Sequence, residues 1–284
     1  MDNIVEYNTS GLVHAVQWGD LTYVEVAVDQ HSCSPDTTDV DGCSLLHWAA
    51  INNRLAIAKY LISKGANVNS IGGNNRENPL QWALRCSTCI ELLIYLLSEE
   101  ASITHKSIYG CDALMIAVQC NHLNATLVLL NAGADPNTTD NNGDTPLYWM
   151  LRKFTSNPNM DFMELQRLLL RFNASVMHKS NDGCNALHLV AAGGRNFNTS
   201  SAHLIYMAGS DSMLEAKNAN KFTPYEVASE SKNGQMVRFL WDAYMYRHLP
   251  FHLPTASIAL CYLVAVVNLQ LCGWLWGVFA VVPI

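Results

Sequence analysis

The chain has 284 residues, enough for one elongated domain or two ordinary ones, and half of those residues are apolar while 14% are charged. Its net charge of -7 and pI near 5.7 exclude a general affinity for nucleic acid. The opening residues Met1-Asp2-Asn3-Ile4-Val5-Glu6 have neither the basic flank nor the apolar core of a signal peptide, so a cytosolic setting is expected for the region that follows. Nine cysteines, an odd number, include a lone Cys86-Ser87-Thr88-Cys89 with no second pair at zinc-ligand spacing. Buried reduced thiols are expected, with no metal and no cofactor.

In chain order, residues 1–9 read as a flexible lead. From Ser10 to about Val40 two helices follow, Leu12, Ala15 and Val16 marking the apolar face of one, Leu21, Val24, Val26 and Val28 that of the next. The clearest segment is Asp41 to Gly73. Ser44 caps its first helix, Leu46 and Ala49-Ala50 face neighbouring helices, and Leu55 to Ile62 supply the second helix. Gly65 ends that helix in the left-handed conformation. The pattern returns at Asn78-Pro79-Leu80-Gln81-Trp82-Ala83, at Asp112-Ala113-Leu114, at Thr145-Pro146-Leu147-Tyr148-Trp149, at Asn185-Ala186-Leu187-His188 and at Thr223-Pro224-Tyr225. A period near 33 that restarts on Thr-Pro-Leu-His-x-Ala is the ankyrin signature. The expected fold is therefore all-α, an ankyrin-repeat solenoid of about seven helix-turn-helix repeats over residues 10–247. Repeat three carries Glu100 where Gly65 stood, a penalty of about 1–2 kcal/mol if that position stays left-handed. Repeat five carries an insertion expected to break the helix at Phe154 and run to Met160, and repeat six one at Gly193–Asn198.

Residues 253–284 contain no Lys, Arg, Asp, Glu or His. As one helix they would measure roughly 48 Å, too long for a ~30 Å hydrocarbon core. Asn268, Gln270 and Gly273 mark a turn, so the expectation is one membrane span and the start of a second. Arg238, Arg247 and His248 on the flank place the repeats in the cytosol by the positive-inside rule.

No catalytic constellation is present: no GxSxG, HExxH, P-loop or strand-linked GxGxxG. His47 and His188 occupy the fourth consensus place, where a histidine bonds neighbouring loop backbone. The next position reads Trp48, Trp82, Ile116, Trp149 and Leu189, a ladder along the inner helices. Inner helices line the concave surface with which such arrays meet partners. A tryptophan there offers apolar area and a free indole N–H, although the same rings could pack as core. Asn52, one repeat before Trp82, carries an amide suited to pinning an extended peptide backbone. The candidate peptide-binding residues are thus Asn52, Trp82, Trp48 and Trp149.

Leu45-Leu46-His47-Trp48-Ala49-Ala50-Ile51-Asn52-Asn53-Arg54, Lys59-Tyr60, Ile62-Ser63-Lys64-Gly65-Ala66, Gly72-Gly73, Pro79-Leu80-x-Trp82-Ala83-x-Arg85 and Leu168-Leu169-Leu170-x-Phe172-Asn173-x-Ser175-Val176 together resemble the huntingtin-interacting type of DHHC palmitoyltransferase. The resemblance implies repeats that recruit protein substrates through short, disordered, proline-containing segments, with an Asn and a Trp at the places of Asn52 and Trp82 important for binding. It also implies a Golgi or other endomembrane location, contact with membrane lipid through residues 253–284, and S-acyl transfer by an Asp-His-His-Cys domain. These 284 residues hold no Asp-His-His-Cys. The expected role is client recruitment without catalysis by this chain alone, either as part of an acyltransferase or as a non-enzymatic membrane-tethered adaptor.

Overall fold

The computed structural model describes residues 9–30, 33–86, 89–156, 162–193 and 199–248. Short helices follow one another in pairs. The first pair is α1 (Thr9–Trp18) and α2 (Leu21–Asp29), the second α3 (Leu45–Ile51) and α4 (Leu55–Ser63), the third α5 (Pro79–Ala83) and α6 (Ile90–Ser98). Then come α7 (Ala113–Gln119) with α8 (Leu123–Asn131), α9 (Pro146–Ser156) with α10 (Met163–Arg171), and α11 (Ala186–Ala192) with α12 (Thr199–Ala208). A single turn, α13 (Ser212–Glu215), precedes the last pair, α14 (Pro224–Glu230) and α15 (Gly234–His248). First helices pack on first helices and second on second from pair to pair. That is a solenoid in which each repeat touches only its neighbours. The main compact unit runs from Met1 to Trp241. Residues Asp242–Ile284 form a second unit, of which the described part ends at His248.

The core is a row of small and branched side chains from every repeat. Leu12 and Val16, Leu46 and Ala50, Leu80 and Ala83, Leu114 and Ala117, Leu147 and Met150, and Leu187 and Ala191 are all buried. In α2 the inward residues are Val24 and Ala27, with Val26 and Val28 only half-buried; helical spacing of three selects Ala27 over its valine neighbours. Four second helices, α4, α6, α8 and α10, turn out through a left-handed residue: Gly65 at φ +92°, Glu100 at +61°, Gly133 at +92° and Asn173 at +64°. No atom lies within 4 Å of where a Cβ would stand on Gly65 or Gly133, so Glu100 suffers backbone strain and not crowding. Glu100→Gly should therefore raise stability by about 1 kcal/mol in urea titration.

Helix α9 corrects one expectation. It continues through Ser156, so the insertion does not break it at Phe154. The reason lies in the sequence: Pro158 restricts Asn157, and nothing before that pair opposes a helix. The remainder of that insertion, residues 157–160, falls outside the described residues, as do 194–198 of the other, residues 1–8 of the lead, whose Thr9 instead opens α1, and the apolar stretch 253–284. Among the described residues no helix is long and apolar enough to cross a membrane.

The fourth consensus place explains how neighbouring loops are held. His47 Nδ1 accepts the Ser44 N–H at 3.1 Å, which assigns the remaining proton to Nε2, 2.9 Å from the Glu77 carbonyl. His188 repeats this, from the Asn185 N–H at 3.2 Å to the Phe222 carbonyl at 2.9 Å. Gln81 does the same with a side chain that cannot titrate, its Oε1 taking the Asn78 N–H and its amide donating to the His105 and Cys111 carbonyls. In repeat five the Tyr148 hydroxyl donates to the His178 carbonyl. Burial lowers the pKa of both His47 and His188 below the ordinary 6.5. The unfolded chain thus binds more protons than the folded one below pH 6.5, and stability falls as pH drops through and beneath that value. His47→Gln with His188→Gln should flatten this acid loss while leaving the melting temperature at pH 8 nearly unchanged. An acid loss as steep as the wild type's would show that these imidazoles do not drive it.

Candidate protein-binding face

A finger-like turn precedes each first helix from α3 onward, and in four of these turns one side chain accepts from the turn's own N–H groups. Asp39 Oδ1 takes the Asp41 and Cys43 N–H groups, and Asp140 Oδ1 takes those of Asn142 and Asp144. Ser107 and Asn218 serve in the same way. The second oxygen of each aspartate then accepts an indole proton. Trp48 Nε1 donates to Asp39 Oδ2 at 2.9 Å, and Trp149 Nε1 to Asp140 Oδ2 at 3.0 Å, nine residues apart in both repeats. The expectation of free indole N–H groups is therefore wrong for Trp48 and Trp149.

Trp82 differs because the residue nine places before it is Gly73, which has no side chain to offer. Gly73 takes φ +71°, and a Cβ on it would stand 3.3 Å from Trp82 Cζ2. Among the described residues nothing hydrogen-bonds the Trp82 indole N–H. The ring itself is fixed. It meets Trp48 edge to face with centroids 5.5 Å apart, and His47 edge to face at 5.2 Å. Trp82 is half-buried, so part of a rigid aromatic surface and an unclaimed donor are open to a partner.

Asn52 closes α3, its Nδ2 donating to the Trp48 carbonyl at 2.9 Å. One of the two expected donors is thus used by its own helix. The other N–H and the amide oxygen have no protein partner among the described residues. Trp48 links the set, since its ring packs on Trp82 and its carbonyl holds Asn52. Trp149 stands apart from these three, two repeats further on.

The sequence reading missed two arginines. Three residues after Trp82, Arg85 Nη2 and Nε grip Glu77 at 2.6 and 3.3 Å. Three residues after Trp149, Arg152 Nε and Nη2 grip Asp144 at 2.5 and 3.1 Å. Trp149 and Arg152 lie three apart within α9 and so share a helical face, whereas Arg85 follows the end of α5 at Ala83. Glu77 and Asp144 are almost fully buried, whereas the arginine side chains are about a third exposed, at 35% and 40%. Burial outweighs the guanidinium and holds the Asp144 carboxyl above its ordinary 3.8. The spacing Trp-x-x-Arg, with an acid eight residues before the Arg, was the signal available in the sequence.

Arg152 and Trp149 line a cavity of about 550 Å³ together with Gln119, Asn142, Asp144, Lys153, Asn181 and Asp182. The thiols carry no comparable arrangement. Burial pushes Cys43, Cys89 and Cys111 up to about 11, which holds them protonated at neutral pH. Among the described residues no group of three or more His, Cys, Asp or Glu could hold a metal ion.

Comparison with known proteins agrees with the repeat fold. Models of ankyrin repeats match residues 12–107, as three copies, and residues 96–147. The chain is 33% identical over 236 residues to the mouse palmitoyltransferase ZDHHC13, a match that takes in 81% of this chain and 35% of that protein. It is 33% identical over 250 residues to the human palmitoyltransferase ZDHHC17, taking in 85% of this chain and 36% of that protein. The chain spans about a third of the length of these relatives. Among solved structures it resembles the human ASB11 ankyrin repeat domain, with a TM-score of 0.66 at 22% identity over 81% of this chain and 96% of that one. That likeness concerns the fold.

Proposed function

We propose, for a chain that carries ankyrin repeats and is homologous over about four fifths of its length to the ZDHHC13 and ZDHHC17 palmitoyltransferases, that its inner-helix face binds client proteins and recruits them for S-acylation. The observation that carries this reading is Trp82, a ring held rigid by Trp48 and His47 whose indole N–H has no partner among the described residues. A rigid aromatic face with an unpaired donor fits the needs of an extended, proline-containing segment. The proline ring lies on the indole, and the backbone carbonyls, which such a segment cannot satisfy internally, accept from the N–H. Asn52 supplies a further donor and an acceptor for the same backbone. Trp48 packs edge to face on the Trp82 ring and holds the Asn52 amide through its carbonyl, and Trp149 belongs to a separate part of the face.

Residues 10–247 form the recruiting array in this proposal. Residues 253–284, which lack any charged side chain, tether it to an endomembrane such as the Golgi with the repeats in the cytosol. The role of this chain is binding, and the acyl transfer belongs to an Asp-His-His-Cys domain.

The test uses the full chain in detergent micelles and a peptide selected from a displayed library of random 16-residue segments with one fixed proline. Micromolar binding is expected for the wild type. Trp82→Ala should weaken it about 30-fold, equivalent to about 2 kcal/mol, and Asn52→Ala severalfold, as loss of one exposed hydrogen bond costs about 1 kcal/mol. Unchanged affinity in both variants would remove the assignment of this face.

A further inference from the structure

We propose that the cavity beside Trp149 is a second docking subsite for the same client segment, taking a stretch of its backbone about six residues away from the group seated on Trp82. This rests on the recruiting role argued above and extends it along the face.

The two places share one construction. Each has a half-buried tryptophan, an arginine three residues later, and a buried carboxylate eight residues before that arginine which fixes the guanidinium. Repeat four, between them, has Ile116 and Gln119 at the equivalent positions and Cys111 in place of the acid. The motif is therefore present, absent and present again over three consecutive repeats. First helices in stacked repeats lie roughly 8–10 Å apart, so two repeats separate the sites by about 16–20 Å. An extended chain rises about 3.3 Å per residue, which makes six residues the bridging length.

The lining identifies what fits. Asp144 and Asp182 face Arg152 and Lys153, two charges of each sign, so the cavity has no net charge to attract a strongly acidic or basic partner. Gln119, Asn142 and Asn181 surround it with amides, and the Lys153 ammonium is turned onto the Gln119 backbone carbonyl. The Trp149 N–H is committed to Asp140, which leaves the ring face as its offering. A neutral, amide-lined space of about 550 Å³ with one aromatic wall matches the alternating carbonyls and small side chains of an extended backbone. It does not match a phosphate or a cluster of like charges.

The experiment uses the selected 16-residue peptide and the eight-residue half that keeps the proline, against the full chain in micelles. The longer peptide should bind about tenfold tighter than the half. Trp149→Ala and, independently, Lys153→Ala should each remove most of that gain while leaving the half-length peptide unaffected. Lys153→Ala touches neither buried ion pair and so guards against a folding defect. Trp82→Ala should weaken both peptides. If Trp149→Ala and Lys153→Ala bind the long peptide as the wild type does, or if the long peptide gains nothing over its half, the second subsite falls while Trp82 keeps its role. A loss in the short peptide with Trp149→Ala overturns it as well, because the effect would then be structural. If Trp82→Ala changes neither peptide, the recruiting face itself falls, and the second subsite with it.

Discussion

Arg85→Ala is expected to lower stability by about 3 kcal/mol, a large effect for a residue whose side chain is one third exposed. The loss comes from its partner. Glu77 is 3% exposed, and Arg85 closes on both of its carboxylate oxygens. Removing one member of a buried ion pair typically costs 3–5 kcal/mol, because a charge is left without compensation. The exposure of Arg85 lets water reach the vacated space, which puts the expectation at the low end of that range. The Glu77 carbonyl also anchors His47, so the damage should spread to the junction of repeats two and three. Glu77→Gln in the same chain removes the orphaned charge and should recover at least half of the loss. Urea unfolding of wild type, single and double variants measures this, and a single-variant loss below about 1 kcal/mol would contradict it.

The second large effect is at Gly72, where Gly72→Ala should destabilise by about 3 kcal/mol. A Cβ there would stand 2.5 Å from the Gly42 carbonyl oxygen and 2.8 Å from the Cys43 Cα, both atoms of the adjoining turn's backbone. Gly72 is also paired with Glu77 across an antiparallel bridge, so it cannot retreat without breaking that pairing. Overpacking usually costs 1–3 kcal/mol, and contacts with backbone, which cannot rotate away, belong at the top of that range. Because Gly73 lies against Trp82, the displaced turn should also weaken peptide binding. A melting temperature equal to the wild type's would show that the turns can separate freely.

The repeat architecture was legible because a 33-residue period, proline at first helical positions and glycine at helix ends are all local signals. The roles of His47 and His188 were legible for the same reason, since the repeat itself defines their place. Gln81 and Tyr148 do comparable work with other chemistry, and a consensus search passes over them. What the sequence did not display was which tryptophans keep a free N–H. Trp48, Trp82 and Trp149 look equivalent along the chain, and the difference lies nine residues earlier, in Asp39, Gly73 and Asp140. The two ion pairs escaped notice because a carboxylate and an arginine eight residues apart meet only when a turn folds back onto the following helix. The helix running through Ser156 was obscured by reading an insertion as a loop from its first residue.

On the proposed recruiting role, a client segment covers the Trp82 indole N–H, which no described residue claims. Solvent exchange of the tryptophan Nε1 protons in ¹⁵N-labelled chain, free and with the selected peptide, tests it most directly. In the free chain the Trp82 proton should exchange faster than those of Trp48 and Trp149, which aspartates hold. Peptide should slow and shift Trp82 strongly, leaving Trp48 still bonded to Asp39. Peptide bound at saturation with the Trp82 resonance unmoved would contradict the account.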